Sequence, residues 1–302
     1  PYTTLFRSTA PARMAARRHF SSLPTPRWLG LVPFFLFAFL FLILPALTIV
    51  IGAFRTPDGS VTLENILGLN TRTIRNAYWV SIRVSLWSAL IGCAIGFAMA
   101  AAAVLGGLPR QIRSPLLTFS GVASNFAGVP LAFAFIATIG PAGLITLWLR
   151  TEFGINLRAY GFNLFSTTGL ILTYLFFQVP LMILIITPAI EGLRREWREA
   201  AATLGATGWQ YWRMIALPIL LPSFLGTFAL LFANSFGAVA TAFALAGPQL
   251  NIAPILLFSQ IRGDVLGNPG LGYALAFGMI VITGLANAIY LWLRARSERW
   301  LK

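Results

Sequence analysis

Chemistry in a protein needs groups that hold a proton, a metal or a phosphate, and this chain has few of them. Its 302 residues include one histidine (His19), one cysteine (Cys93) and one lysine (Lys302). Cys/His metal sites, histidine-based catalysis and an internal disulfide therefore lack their residues. A phosphate loop of the Walker type lacks an internal lysine. No Gly-x-Ser-x-Gly elbow and no pair of carboxylates in an apolar run is present, which argues against an intramembrane enzyme. No catalytic residue, metal ligand or bound cofactor is assigned to the chain, and it is expected not to be an enzyme.

The elements that could position anything are apolar. Hydrophobic residues make up 58% of the chain, charged residues 10%, and the mean hydropathy is +0.79. That is the composition of a protein dissolved in lipid. The net charge of +14 comes from arginines lying between apolar blocks. The positive-inside rule explains such an excess better than nucleic acid does. About 20 apolar residues cross a bilayer, and six runs qualify: Trp28–Phe54, Val84–Pro109, Leu116–Ile139, Gly169–Ile190, Ile219–Ala246 and Leu271–Leu293. Gly140-Pro141 ends the third, and a short surface or re-entrant piece is expected after it. Pro254–Ile261 is too short to span and is expected to dip into the bilayer or cap a cavity. Residues 1–27 carry five arginines and read as a disordered basic tail, with Met14 a candidate start. The first run, residues 28–54, is too long for a signal-peptide core and is expected to stay as an anchor.

Six helices put both termini on one side. That side collects fifteen of the 22 basic residues and the opposite side seven, which predicts cytoplasmic termini. Trp28, Tyr78, Trp79, Trp148, Trp292 and Trp300 fall near predicted span ends, as an aromatic belt does, and Arg83 can snorkel to the interface. None of the eight acidic residues falls inside a predicted span. Ion-coupled secondary transport, the alternative reading, usually needs an ionisable group there. Asn125, Gln178 and Asn234 do lie at membrane depth, near Gly128, Pro130, Pro180 and Gly237. They either bond helices together or line a solute path.

One polar island interrupts the apolar chain, Glu191–Pro222. Helix signals run from Glu191 to Leu204, and Gly205 supplies a left-handed stop. Thr207 and Gln210 are spaced as a capping box, so a second helix is expected from Gly208. Pro218 is expected to end it near Leu217. The product is a two-helix elbow held on a membrane surface.

Within the island, Glu199-Ala200-Ala201, three residues, Gly205, nine residues and Ile215-Ala216-Leu217-Pro218 follow one another. This pattern resembles the EAA signature of inner-membrane permease subunits of binding-protein-dependent ABC importers. Asn76 and Ser81, leading into the Gly/Ala-rich second run, resemble the start of that family's transmembrane domain, so the likeness covers about residues 70–295. Gln178-Val179-Pro180 and the six-helix layout are most similar to the spermidine/putrescine type. The resemblance implies an all-α fold of six transmembrane helices, with a cytoplasmic coupling helix in the 191–218 loop between helices 4 and 5. It implies that Glu199, Ala200, Ala201 and Gly205 contact an ATPase dimer that binds ATP and Mg, and that Leu217 and Pro218 fix the elbow to the fifth helix. A second permease subunit and a periplasmic binding protein are the other implied partners, in a bacterial inner membrane, with a polyamine-type solute as cargo.

Overall fold

The computed structural model describes residues 30–263 and 269–298. The basic tail 1–27, Trp28 and Trp300 lie outside the described residues. Two units divide the chain, residues 1–47 and residues 48–302. The described part of the first is helical from Val32, with Phe37 stacked on Phe41 at 5.0 Å.

The helices are α1 (Val32–Ala53), α2 (Glu64–Leu67), α3 (Arg72–Leu105), α4 (Arg110–Asn125), α5 (Val129–Ile139), α6 (Leu144–Glu152) and α7 (Thr167–Glu191). They continue as α8 (Arg195–Thr203), α9 (Gly208–Phe236), α10 (Val239–Ala246), α11 (Ala253–Gly263) and α12 (Pro269–Glu298). Among the described residues, six helical runs are long and apolar enough to cross a membrane.

The spine of the larger unit is the pair α3 and α7. The inward stripe of α3 is small: Ser81, Ser85, Ser88, Ala89, Gly92, Cys93, Gly96, Ala100 and Ala103 are all buried. Such residues let helix backbones approach closely where lipid offers no hydrophobic drive between helices. A Cβ on Gly96 would sit 2.6 Å from the Met182 Cβ and 2.8 Å from the Val179 carbonyl oxygen. Cys93 belongs to this interior and does not face lipid. Helix α9 packs on α3, α7 and α12, and α11 packs on α3 and α12. The short apolar stretch Pro254–Ile261 thus forms most of a buttress against the spine; the Ala253 N–H donates to the Ser81 hydroxyl at 2.8 Å. Tyr78, expected in the aromatic belt, instead donates its hydroxyl to the Leu275 carbonyl on α12 at 2.5 Å.

Three expectations are corrected. Helix α3 begins at Arg72 rather than Val84, because the Thr71 hydroxyl caps it by accepting the Ile74 N–H at 3.3 Å. The third predicted helix, Leu116–Ile139, is broken at Phe126–Gly128, where Gly128 has φ +76. By length and apolarity the third run is Val129–Glu152. The contacts, however, put α4 and α5 in series along α7. Arg113 on α4 pairs with Glu191 at one end of α7, and Leu131 on α5 packs with Leu164 and Leu170 at the other. The fifth predicted helix, Ile219–Ala246, is likewise broken, at Gly237-Ala238.

Candidate functional site

The elbow is assembled from local chemistry. Helix α7 stops at Gly192, and α8 starts at Arg195 rather than at Glu191. Gly205 takes φ +77, as the turn between α8 and α9 requires. The capping box forms in both halves: the Gln210 N–H donates to the Thr207 hydroxyl at 3.3 Å, and the Thr207 N–H to Gln210 Oε1 at 2.7 Å. Ala201, Tyr211 and Ala216 make a small core with Leu193, Ala206, Trp212 and Ile215 around them. That core sets α8 against the first turns of α9.

Pro218 does not end the helix. The five residues before Leu217, Trp212–Ala216, form a π turn in which the Leu217 N–H donates to the Trp212 carbonyl. Widening the turn moves a carbonyl off the proline ring, so α9 runs unbroken from Gly208 to Phe236. The same arrangement stands before Pro45, where Phe39–Ile43 is a π turn and the Leu44 N–H donates to the Phe39 carbonyl.

Glu199, Ala200 and Gly205 lie on the outer face of the elbow, and Leu217 and Pro218 are exposed on α9. Ala201 does not share that face: it is 6% exposed and packs inward. Sequence reasoning missed the apolar part of the same surface. Leu204, Trp209 and Met214 are 87%, 70% and 73% exposed. Large apolar side chains inside a charged island were the available signal, since such a patch marks an interaction surface.

The three candidate path residues part company. Asn125 and Asn234 are exposed beside the two helix breaks. Gln178 is fully buried between α3, α7 and α9. Its Nε2 donates to the Ser88 hydroxyl at 2.8 Å, its side chain lies against Gly92, and its Oε1 has no partner. The breaks themselves meet: the Gly128 N–H donates to the Thr241 hydroxyl on α10 at 2.7 Å. Nearby, the Tyr174 hydroxyl donates to the Ala238 carbonyl at 2.9 Å.

Discontinuous spans of this kind recur in membrane transporters. Residues 160–301 match the family of binding-protein-dependent transport system inner membrane components. The putrescine transport system permease protein PotI of Escherichia coli K12 is 27% identical over 288 residues, 92% of this chain and 95% of PotI. The thiamine transport system permease protein ThiP of Salmonella typhimurium LT2 is 25% identical over 195 residues, 63% of this chain but 35% of ThiP. A solved structure of a bacterial alginate ABC transporter, in complex with an alginate pentasaccharide-bound periplasmic protein, shares the fold. Its TM-score is 0.65 at 17% identity, over 91% of this chain and 94% of that one. The chain is thus a multi-pass permease component of an ABC importer, with the six-helix all-α fold, and is not an enzyme; ATP hydrolysis belongs to a separate subunit.

Proposed function

We propose that this permease forms the path for a small solute handed over by a periplasmic binding protein, and that its elbow receives force from a cytoplasmic ATPase dimer carrying ATP and Mg. The reading rests on one observation: an elbow with exposed apolar and charged side chains is fixed by its own small core to one unbroken helix long and apolar enough to cross a membrane. Glu199, Ala200 and Gly205, with Leu204, Trp209 and Met214, make the docking face. Ala201, packed on Tyr211 and Ala216, holds that face to α9, and Leu217 and Pro218 carry α9 on from the elbow toward the bundle. A second permease subunit, the same chain or a sister, completes the path within the domain 70–295. Both termini and the elbow lie in the cytoplasm, in line with the arginine distribution.

Asn125 and Asn234 line the path beside the breaks, and Gln178 joins them when the spine loosens. A polyamine-type solute is the first cargo to test, because PotI matches nearly end to end. Relatives named for thiamine, molybdenum and sulfate transport supply the comparison solutes. The test is co-purification of the ATPase with a Glu199→Lys variant. Recovery is expected to fall while membrane insertion persists; unchanged recovery contradicts the docking face.

A further inference from the structure

The end of the bundle where α5 meets the start of α7 carries a pocket of about 220 Å³ that the transport reading does not use. Arg150, Arg158, Asn156, Asn163 and Thr146 supply its polar lining, and no Asp or Glu joins them. Each asparagine oxygen already accepts one backbone N–H. Asn156 Oδ1 accepts the Arg158 N–H at 3.1 Å, and Asn163 Oδ1 accepts the Phe165 N–H at 3.0 Å. Their amide N–H groups remain as donors for the pocket. The Thr146 hydroxyl is buried without a partner. Neither arginine is neutralised, because the one ion pair among the described residues is Arg113–Glu191. Two guanidinium groups, two amides and a hydroxyl therefore offer donors, with no carboxylate to oppose an anion.

The neighbouring surface narrows the choice of anion. Leu147 lines this pocket and also an apolar cleft of about 430 Å³ formed by Leu144, Ile145, Trp148 and Thr151. Phe153 meets the Trp148 ring edge-on at 5.0 Å, and both are exposed. An amphipathic helix with exposed Leu and Trp on one side belongs at the membrane interface. A donor-rich pocket opening beside an apolar cleft at that depth fits a ligand with a phosphate and an acyl chain. We propose that this pocket holds the phosphate of an anionic phospholipid, with a chain lying along α6.

Native mass spectrometry of the full chain, released from nanodiscs of phosphatidylcholine and phosphatidylglycerol in equal parts, tests this. The wild type is expected to retain phosphatidylglycerol over phosphatidylcholine. An Arg150→Gln/Arg158→Gln variant should hold it about tenfold or more weakly, and Arg150→Lys/Arg158→Lys should keep most of the binding, since the charge survives. Equal retention by wild type and the Gln variant overturns the proposal. So does a wild type with no preference between the two lipids, a measurement that needs no variant to fold. Inorganic phosphate is expected not to displace the lipid; full displacement at millimolar phosphate would assign the pocket to a free anion instead.

Discussion

Gly205 offers the sharpest test of the elbow, because its environment isolates one physical effect. A Cβ built there meets nothing within 4 Å, so a side chain causes no clash. Only the backbone angle, φ +77, resists substitution. A non-glycine residue held in the left-handed region costs roughly 1–2 kcal/mol, and asparagine tolerates it better than alanine. Proline, locked near φ −65°, cannot adopt the angle, and it also removes the Gly205 N–H that donates to the Ala202 carbonyl at 3.0 Å. Gly205→Ala should therefore lower the population of the docking-competent elbow by roughly 5–30-fold, the factor that 1–2 kcal/mol represents. The measurement is ATPase affinity and ATP-driven uptake in proteoliposomes holding the complete importer. The expected order is Gly, then Asn, then Ala, with Pro abolishing uptake. Thermal stability of the transmembrane bundle should not change across the series, because the elbow lies outside it. Equal uptake by the Gly and Ala proteins, or Ala outperforming Asn, refutes the reasoning from φ.

Other perturbations test the bundle. Gly96→Val forces a side chain into the Met182 Cβ and the Val179 carbonyl, and overpacking of that kind costs about 1–3 kcal/mol, read as a lower melting temperature in detergent. Tyr78→Phe removes the hydroxyl that donates to Leu275, a loss of about 1 kcal/mol measurable in the same assay. Gln178→Met deletes one unpartnered oxygen and one hydrogen bond together, so stability should stay within about 1 kcal/mol. Uptake by that variant should fall if the amide serves the path; unchanged uptake assigns Gln178 to packing alone.

What could be read from the sequence was whatever is decided within a few residues. Gly205 and the Thr207–Gln210 box are settled by local backbone chemistry, and both form as expected. The helix breaks were hidden because Phe126–Gly128 and Gly237-Ala238 sit inside apolar runs that satisfy a hydropathy pattern. The partner that satisfies the freed Gly128 N–H, Thr241, is 113 residues away. Pro218 misled for a related reason. Its local rule is sound, but the π turn before it accommodates the ring without ending the helix. The inward orientation of Ala201 depends on Tyr211 and Ala216, which reach it only after the chain has turned at Gly205.

That accommodated proline matters for how force could travel. With Pro218 as a stop, the elbow would be hinged to the membrane and its movement lost in a loop. With the π turn, the 29 residues Gly208–Phe236 are one rod, about 43 Å long at the usual rise per residue. Its near end is fastened into the Ala201–Tyr211–Ala216 core, and its far end stops at Gly237-Ala238. Just beyond that stop, Thr241 holds the Gly128 N–H and Ala238 holds the Tyr174 hydroxyl. A tilt imposed on the elbow therefore arrives where two broken spans are joined by single hydrogen bonds, each worth about 1 kcal/mol. Such contacts are weak enough to exchange and specific enough to define a closed state. Thr241→Val should loosen that joint while leaving the elbow intact, raising solute leakage without lowering ATPase recovery. A variant that lost both together would show that the joint and the elbow are not separate ends of one lever.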